Sequence, residues 1–119
     1  MTSRPAWAMP VWIAMFVAIT VGSLLPAHDL PPPAFDGMDK LEHALGYALL
    51  AAYGTRLYPA RWLRVLVGVI AFGIAIEIAQ GVFTTTRSAD PLDAIADAFG
   101  AAIAQAAWRW RRRGAEPSP

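Results

Sequence analysis

Apolar residues gather in four stretches of this chain, about residues 7–25, 41–58, 62–83 and 91–108. Polar residues, prolines and glycines separate them. Each stretch is close to the roughly 20 residues that carry a helix across about 30 Å of hydrocarbon at 1.5 Å per residue. Backbone groups in lipid must bond within their own segment, so stretches of this length are helices rather than strands. The pattern predicts an all-α chain, an integral membrane four-helix bundle, in one domain over residues 1–119. Trp62 to Phe83 is the most hydrophobic stretch. The second and fourth are weaker, because Ala, Gly and acidic residues replace Leu and Ile, so the other two are expected to shelter them. Ala27 to Met38 contains Pro31-Pro32-Pro33 and reads as an extended or interfacial loop. Tyr58-Pro59-Ala60-Arg61 reads as a tight turn. Thr84 to Asp90 joins the third and fourth stretches, and Pro91 suits a first helical turn. Residues 114–119 are expected to form a disordered tail. The first stretch ends near Leu25-Pro26-Ala27 without an Ala-x-Ala pattern, so it reads as an uncleaved span rather than a signal peptide.

Composition agrees with the pattern. Hydrophobic residues make up 56% and charged residues 16%, against soluble averages of about 45–50% and about 25%. The mean hydropathy of +0.40 is modest because the chain's ends are polar. A net charge of +1 points to no particular partner. The absence of cysteine excludes disulfides, thiolate catalysis and Cys-ligated metal.

The placement of charge says more than its sum. Arg4 precedes the first stretch, Arg56, Arg61 and Arg64 surround the turn between the second and third, and Arg109, Arg111, Arg112 and Arg113 follow the fourth. The alternate loops carry only Lys40 and Arg87. This positive-inside bias predicts both termini in the cytoplasm and the first and third loops outside. Trp7, Trp62, Trp108 and Trp110 would form the inner aromatic belt. The Arg109–Arg113 cluster then anchors to anionic lipid, and no nucleic-acid partner is expected.

Three polar stripes interrupt the apolar helices. Asp39, His43 and Gly46 or Tyr47 share one face of the second, Glu77 and Gln80 one face of the third, and Asp93, Asp97 and Gly100 one face of the fourth. Arg87 lies in the loop between the last two. Under the topology above, all of them lie towards the outer side. Each ionisable group near a helix centre costs roughly 2.5–3.5 kcal/mol in a bilayer, so the set reads as a functional pocket. Its carboxylates cannot all be ionised without counter-charge, and Arg87, Lys40 and His43 are the available partners. The competing reading is interhelical glue at about 0.6–2 kcal/mol per pair, which suits Gln80 and Tyr47. Asp39, Lys40 and Glu42 can also simply finish a helix end. His43, Glu77, Asp93 and Asp97 match no metal-binding spacing such as His-Glu-x-x-His, so neither metal nor cofactor is expected. Apart from Arg56 and Arg64 beside the inner turn, the inner halves of the stretches hold no charged residue, which speaks against a proton-coupled transporter.

Taken in order, several motifs resemble a known family. They are Ser23-Leu24-Leu25-Pro26, Asp39-Lys40-x-x-His43-x-x-x-Tyr47, Glu77-x-x-Gln80, and Arg87-x5-Asp93-x3-Asp97-x2-Gly100. Over about residues 23–104 the chain resembles the VanZ-like family of small bacterial membrane proteins, associated with teicoplanin resistance. The resemblance implies a cell-envelope function rather than a defined reaction. The family pattern carries Asn where this chain has Asp97, so a role that needs a neutral amide does not carry over.

The expectation is a multi-pass protein of the bacterial cytoplasmic membrane with an outward-facing pocket. It would bind an anionic amphiphile, a lipid-linked envelope precursor or a glycopeptide, and contribute to glycopeptide resistance. Arg87, Lys40, Tyr47, Gln80 and Asp97 would hold the ligand. In the alternative, a transferase or hydrolase acting on a lipid head group, His43 and Glu77 would do acid–base chemistry and Asp93 would orient Arg87 or His43. The small-residue faces leave room for a homodimer.

Overall fold

The computed structural model describes residues 3–115. Those residues form four α-helices and no strand: α1 Ala8–Leu24, α2 Met38–Leu57, α3 Trp62–Phe83 and α4 Pro91–Ala115. The chain is thus all-α, as the apolar pattern predicts.

Local chemistry sets most helix ends. Pro10 falls in the first turn of α1, where backbone N–H groups have no intrahelical partner to lose. Leu25 and Tyr58 each precede a proline, which disfavours the helical conformation, and α1 and α2 stop just before them. Gly37, at φ 87°, turns the loop into α2 through the left-handed region, where glycine pays no Cβ penalty. The loop before it makes a 3-10 turn at Ala27–Asp29, runs extended through the prolines 31–33, and turns again where Met38 N–H donates to the Phe35 carbonyl at 3.2 Å. Another such turn, Pro59–Arg61, links α2 to α3. Asp90 caps α4, with its Oδ1 accepting from Leu92 N–H at 3.0 Å, and Pro91 takes the first helical position.

The first three helices lie within three residues of the expected bounds. α4 runs on past Trp108 through the arginine cluster to Ala115, since Arg and Ala are good helix formers. Of the expected tail, Gly114 and Ala115 are therefore helical, and residues 116–119 lie outside the described residues.

α2 is the hub. It packs most extensively on α4 and also meets α1 and α3. The α2–α4 approach is close enough that a Cβ on Gly100 would overlap the Ala44 backbone carbonyl. The apolar core joins Tyr47, Leu50, Ala51, Val65, Val69 and Ala101, flanked by Trp12, Phe16 and Phe72. Its rings meet edge-on or tilted, Trp12–Phe16 at 5.2 Å and Phe16–Phe72 at 4.8 Å between centroids.

Polar side chains share the interior with that apolar core, and many large apolar ones stay outside. Glu77, Gln80, Asp93, Asp97, Thr55 and Gln105 are buried, while Val17, Leu49, Ile78, Val82, Phe83, Ile95 and Phe99 are exposed. Among the described residues, one helical stretch, Pro59–Phe83, is long and apolar enough to cross a membrane; Ala8–Leu24 is apolar but shorter. α2 and α4 miss that mark because they carry Asp39, Lys40, Glu42, Asp93, Asp97 and the arginines.

Opposite ends of the four helices have different chemistry. At the end where α1 begins and α4 finishes, three guanidinium groups lie over aromatic rings: Arg4 over Tyr58 (4.3 Å), Arg109 over Trp62 (4.5 Å) and Arg112 over Trp108 (5.1 Å). Just inside, buried Gln105 donates to Thr55 Oγ1 and reaches the Trp62 carbonyl. The carboxylates and His43 occupy the other end.

Candidate functional site: a polar cavity at one end of the bundle

The residues from Met38 to Tyr47 open α2 at the end where α3 closes and α4 begins, so the three polar stripes converge there. His43 is their centre. Its Nδ1 lies 2.8 Å from Asp97 Oδ1 on α4. Its Nε2 faces Asp39 Oδ1 at 3.7 Å and Asp93 Oδ2 at 3.9 Å. The ring lies parallel to that of Tyr47, 6.5 Å away. His43 and Asp97 thus form a dyad in which a buried carboxylate (1% exposed) holds the imidazole.

Lys40 is more than a helix end. Its ammonium donates to Asp90 Oδ2 at 2.8 Å and to Asp93 Oδ1, and Asp39 Oδ2 lies 3.6 Å away. The Lys40 hydrogen bond holds the Asp90 carboxyl below the usual carboxylate range, and the Leu92 N–H adds to the effect. Asp90 did not stand out in the sequence, where it reads as the last loop residue. Its place directly before Pro91 at a helix start was the available signal.

Glu77, from α3, reaches the same cluster from behind. Its Oε2 accepts from the Asp90 backbone N–H at 2.9 Å. Its Oε1 is buried with no hydrogen-bond partner among the described residues, as are Asp97 Oδ2 and the Tyr47 hydroxyl. Gly73 makes room for this meeting: a Cβ there would stand 3.0 Å from Asp97 Oδ2 and 3.1 Å from Tyr47 Cε1.

Of the two groups expected beside Asp93, Arg87 or His43, the structure brings His43 to 3.9 Å and leaves Arg87 elsewhere. Arg87 Nη1 donates instead to the Gly22 carbonyl at the end of α1, at 3.2 Å, and Lys40 takes the place beside Asp93. The reason is position. Arg87 lies three residues before Asp90 in an extended loop that crosses towards α1, where Thr86 Oγ1 accepts from Ala27 N–H at 3.1 Å. Gln80 also turns to α1, donating to the Ser23 carbonyl at 2.9 Å. Ser23 of the Ser-Leu-Leu-Pro segment thus meets the Gln80 stripe through its backbone.

Between these groups lies a cavity of about 810 Å³. The end of α1, the prolines 31–33 of the first loop, α2 from Asp39 to Tyr47, and the loop from Thr86 to Asp90 wall it. Arg87, His43, Tyr47, Gln80 and Asp93 line it; Lys40, Glu77 and Asp97 do not. Its wall carries charge of both signs: the acids Asp39, Glu42, Asp90 and Asp93, and the cation Arg87, with the hydroxyls of Ser23, Thr86 and Ser88 among them. Such a space can take a head group that offers an anion to Arg87 and hydroxyl or amine donors to the carboxylates. Comparison with protein-family models, with curated proteins and with solved structures finds no match.

Proposed function

We propose that this chain is a VanZ-like protein of the bacterial cytoplasmic membrane, with four spanning helices, both termini inside and its polar cavity open to the outside. The cavity binds the head group of an anionic amphiphile in the outer leaflet, a lipid-linked envelope precursor or a glycopeptide, and binding there contributes to glycopeptide resistance. The observation that carries this reading is the position of the cavity. It lies at the opposite end of the helices from the three Arg–aromatic stacks, which is the polarity that basic inner anchors impose. The exposed apolar side chains along α1, α3 and α4 supply a surface that lipid solvates and water does not. Within the cavity, Arg87 offers the planar fork that suits phosphate or carboxylate. The acidic wall accepts from sugar hydroxyls or amines, so a glycan-bearing amphiphile fits better than a simple fatty acid.

Lipidomics of the gently purified protein tests this. An anionic, hydroxyl-rich lipid should co-purify with the native chain, be lost from Arg87→Ala and be retained only weakly by Arg87→Lys. Identical lipids on native protein and Arg87→Ala would overturn it.

One contact favours a second reading, a transferase or hydrolase acting on the head group. The 2.8 Å pairing of His43 with Asp97 is how a general base is oriented. Here Asp97 takes the orienting role that the sequence suggested for Asp93, and Glu77, outside the cavity lining, acts through Asp90. His43→Gln with full turnover of any candidate lipid substrate would remove this reading.

A further inference from the structure

One donor atom each from His43, Glu77 and Asp97 lie within 4.8 Å of one another, on α2, α3 and α4 respectively. The latter two side chains are buried, at 5% and 1% exposure, and each keeps one carboxylate oxygen with no partner among the described residues, Glu77 Oε1 and Asp97 Oδ2. A buried carboxylate oxygen without a donor costs about 1–3 kcal/mol or more, and buried charges are as a rule paired or bound to metal. We propose that His43, Glu77 and Asp97 form a binding site for one divalent transition-metal ion, of the Zn²⁺ or Mn²⁺ type, at the junction of the three helices.

The donor set suits such an ion. One imidazole and two carboxylates leave a position open for water or a ligand, as in zinc sites with three protein ligands. Zn–N and Zn–O distances of about 2.0–2.2 Å require a modest contraction of the present spacing, which side-chain rotation provides. Charge is balanced: two carboxylates, a neutral imidazole and a divalent ion sum to zero, as a low-dielectric interior demands. One outer contact is in place: Asp90 N–H fixes Glu77 Oε2. With Nδ1 on the metal, His43 keeps its proton on Nε2, which faces Asp39 and Asp93 at 3.7 and 3.9 Å, longer than a hydrogen bond. Carboxylates in that position commonly hold the other ring nitrogen of a ligating histidine. The three ligands come from separate helices, which is why no short motif announces them. The inference is independent of what fills the cavity.

The test uses tag-free protein, stripped with a chelator and titrated with Zn²⁺ and with Mn²⁺ against a fluorescent competitor, with metal content measured by mass spectrometry. One ion per chain is expected, with affinity at least about tenfold weaker in Glu77→Gln and Asp97→Asn, and with binding kept in Asp36→Asn, in the loop before α2. Zn²⁺ or Mn²⁺ should also raise the melting temperature of the unmutated protein, a readout that needs no variant to fold. Absence of stoichiometric metal, or binding untouched by Glu77→Gln, overturns the site. Loss in Asp39→Asn with retention in Glu77→Gln would overturn it too, moving the ion to Asp39, His43 and Asp93.

Discussion

Tyr47 is buried at 2% exposure, yet its hydroxyl has no hydrogen-bond partner among the described residues. Removing an unsatisfied polar atom while keeping the ring loses no bond, so Tyr47→Phe should leave the melting temperature unchanged or raised, within about 1 kcal/mol. A fall of several degrees in detergent would mean that the hydroxyl is paired after all. Asp90 makes a prediction in pH. Its carboxyl sits below the ordinary value because Lys40 holds it charged. The stabilisation is therefore fully present above the ordinary Asp value of about 3.9 and is lost as pH falls through the depressed one. Asp90→Asn keeps a good helix cap but removes this titration. Its melting temperature should fall less than that of the native chain between about pH 5 and about pH 2; parallel acid limbs would contradict the pair. At this scale the sequence is only partly readable. The periodicity in 39–47, 77–80 and 93–100 brings His43, Glu77, Asp93 and Asp97 together. That Lys40 rather than Arg87 would sit beside Asp93 depends on the course of the loop from Thr84 to Asp90, which no periodicity encodes.

The contact between α2 and α4 rests on Gly100. A Cβ there would meet the Ala44 backbone, and backbone cannot give way as a flexible side chain can. Gly100→Ala should separate the helices at a cost of about 1–3 kcal/mol, and blur the His43–Asp97 pairing that spans the same interface. Gly68, on α3, has nothing within 4 Å of a built Cβ. Gly68→Ala should be neutral or stabilising by up to about 1 kcal/mol, since Gly is the poorer helix former. Thermal unfolding of the two variants side by side checks the pair; equal effects would mean that Gly100 is no contact point. The helices themselves were legible to within three residues for α1 to α3, because prolines at 26 and 59 punctuate the chain beside apolar runs. The length of α4 was not, because hydropathy falls at Arg109 while helix propensity does not. The cross-helix partners Gly73, Thr55 and Gln105 were also hidden, since helix rotation about its axis is set by packing across the bundle.

The whole molecule buries several polar groups beside its apolar core, keeps many large apolar side chains outside, and has acids and His43 at one end and stacked arginines at the other. In water this arrangement would expose a broad apolar surface; across a bilayer each part meets its preferred solvent. The chain contains no cysteine, so single cysteines report sidedness without background. The most direct measurement is labelling of Ser88→Cys, at the cavity rim, and Gly114→Cys, beyond the arginine cluster, by a membrane-impermeant maleimide on intact spheroplasts. Ser88→Cys should react from outside, and Gly114→Cys only after permeabilisation. The reverse pattern, or equal labelling of both from outside, would contradict an outward-facing cavity.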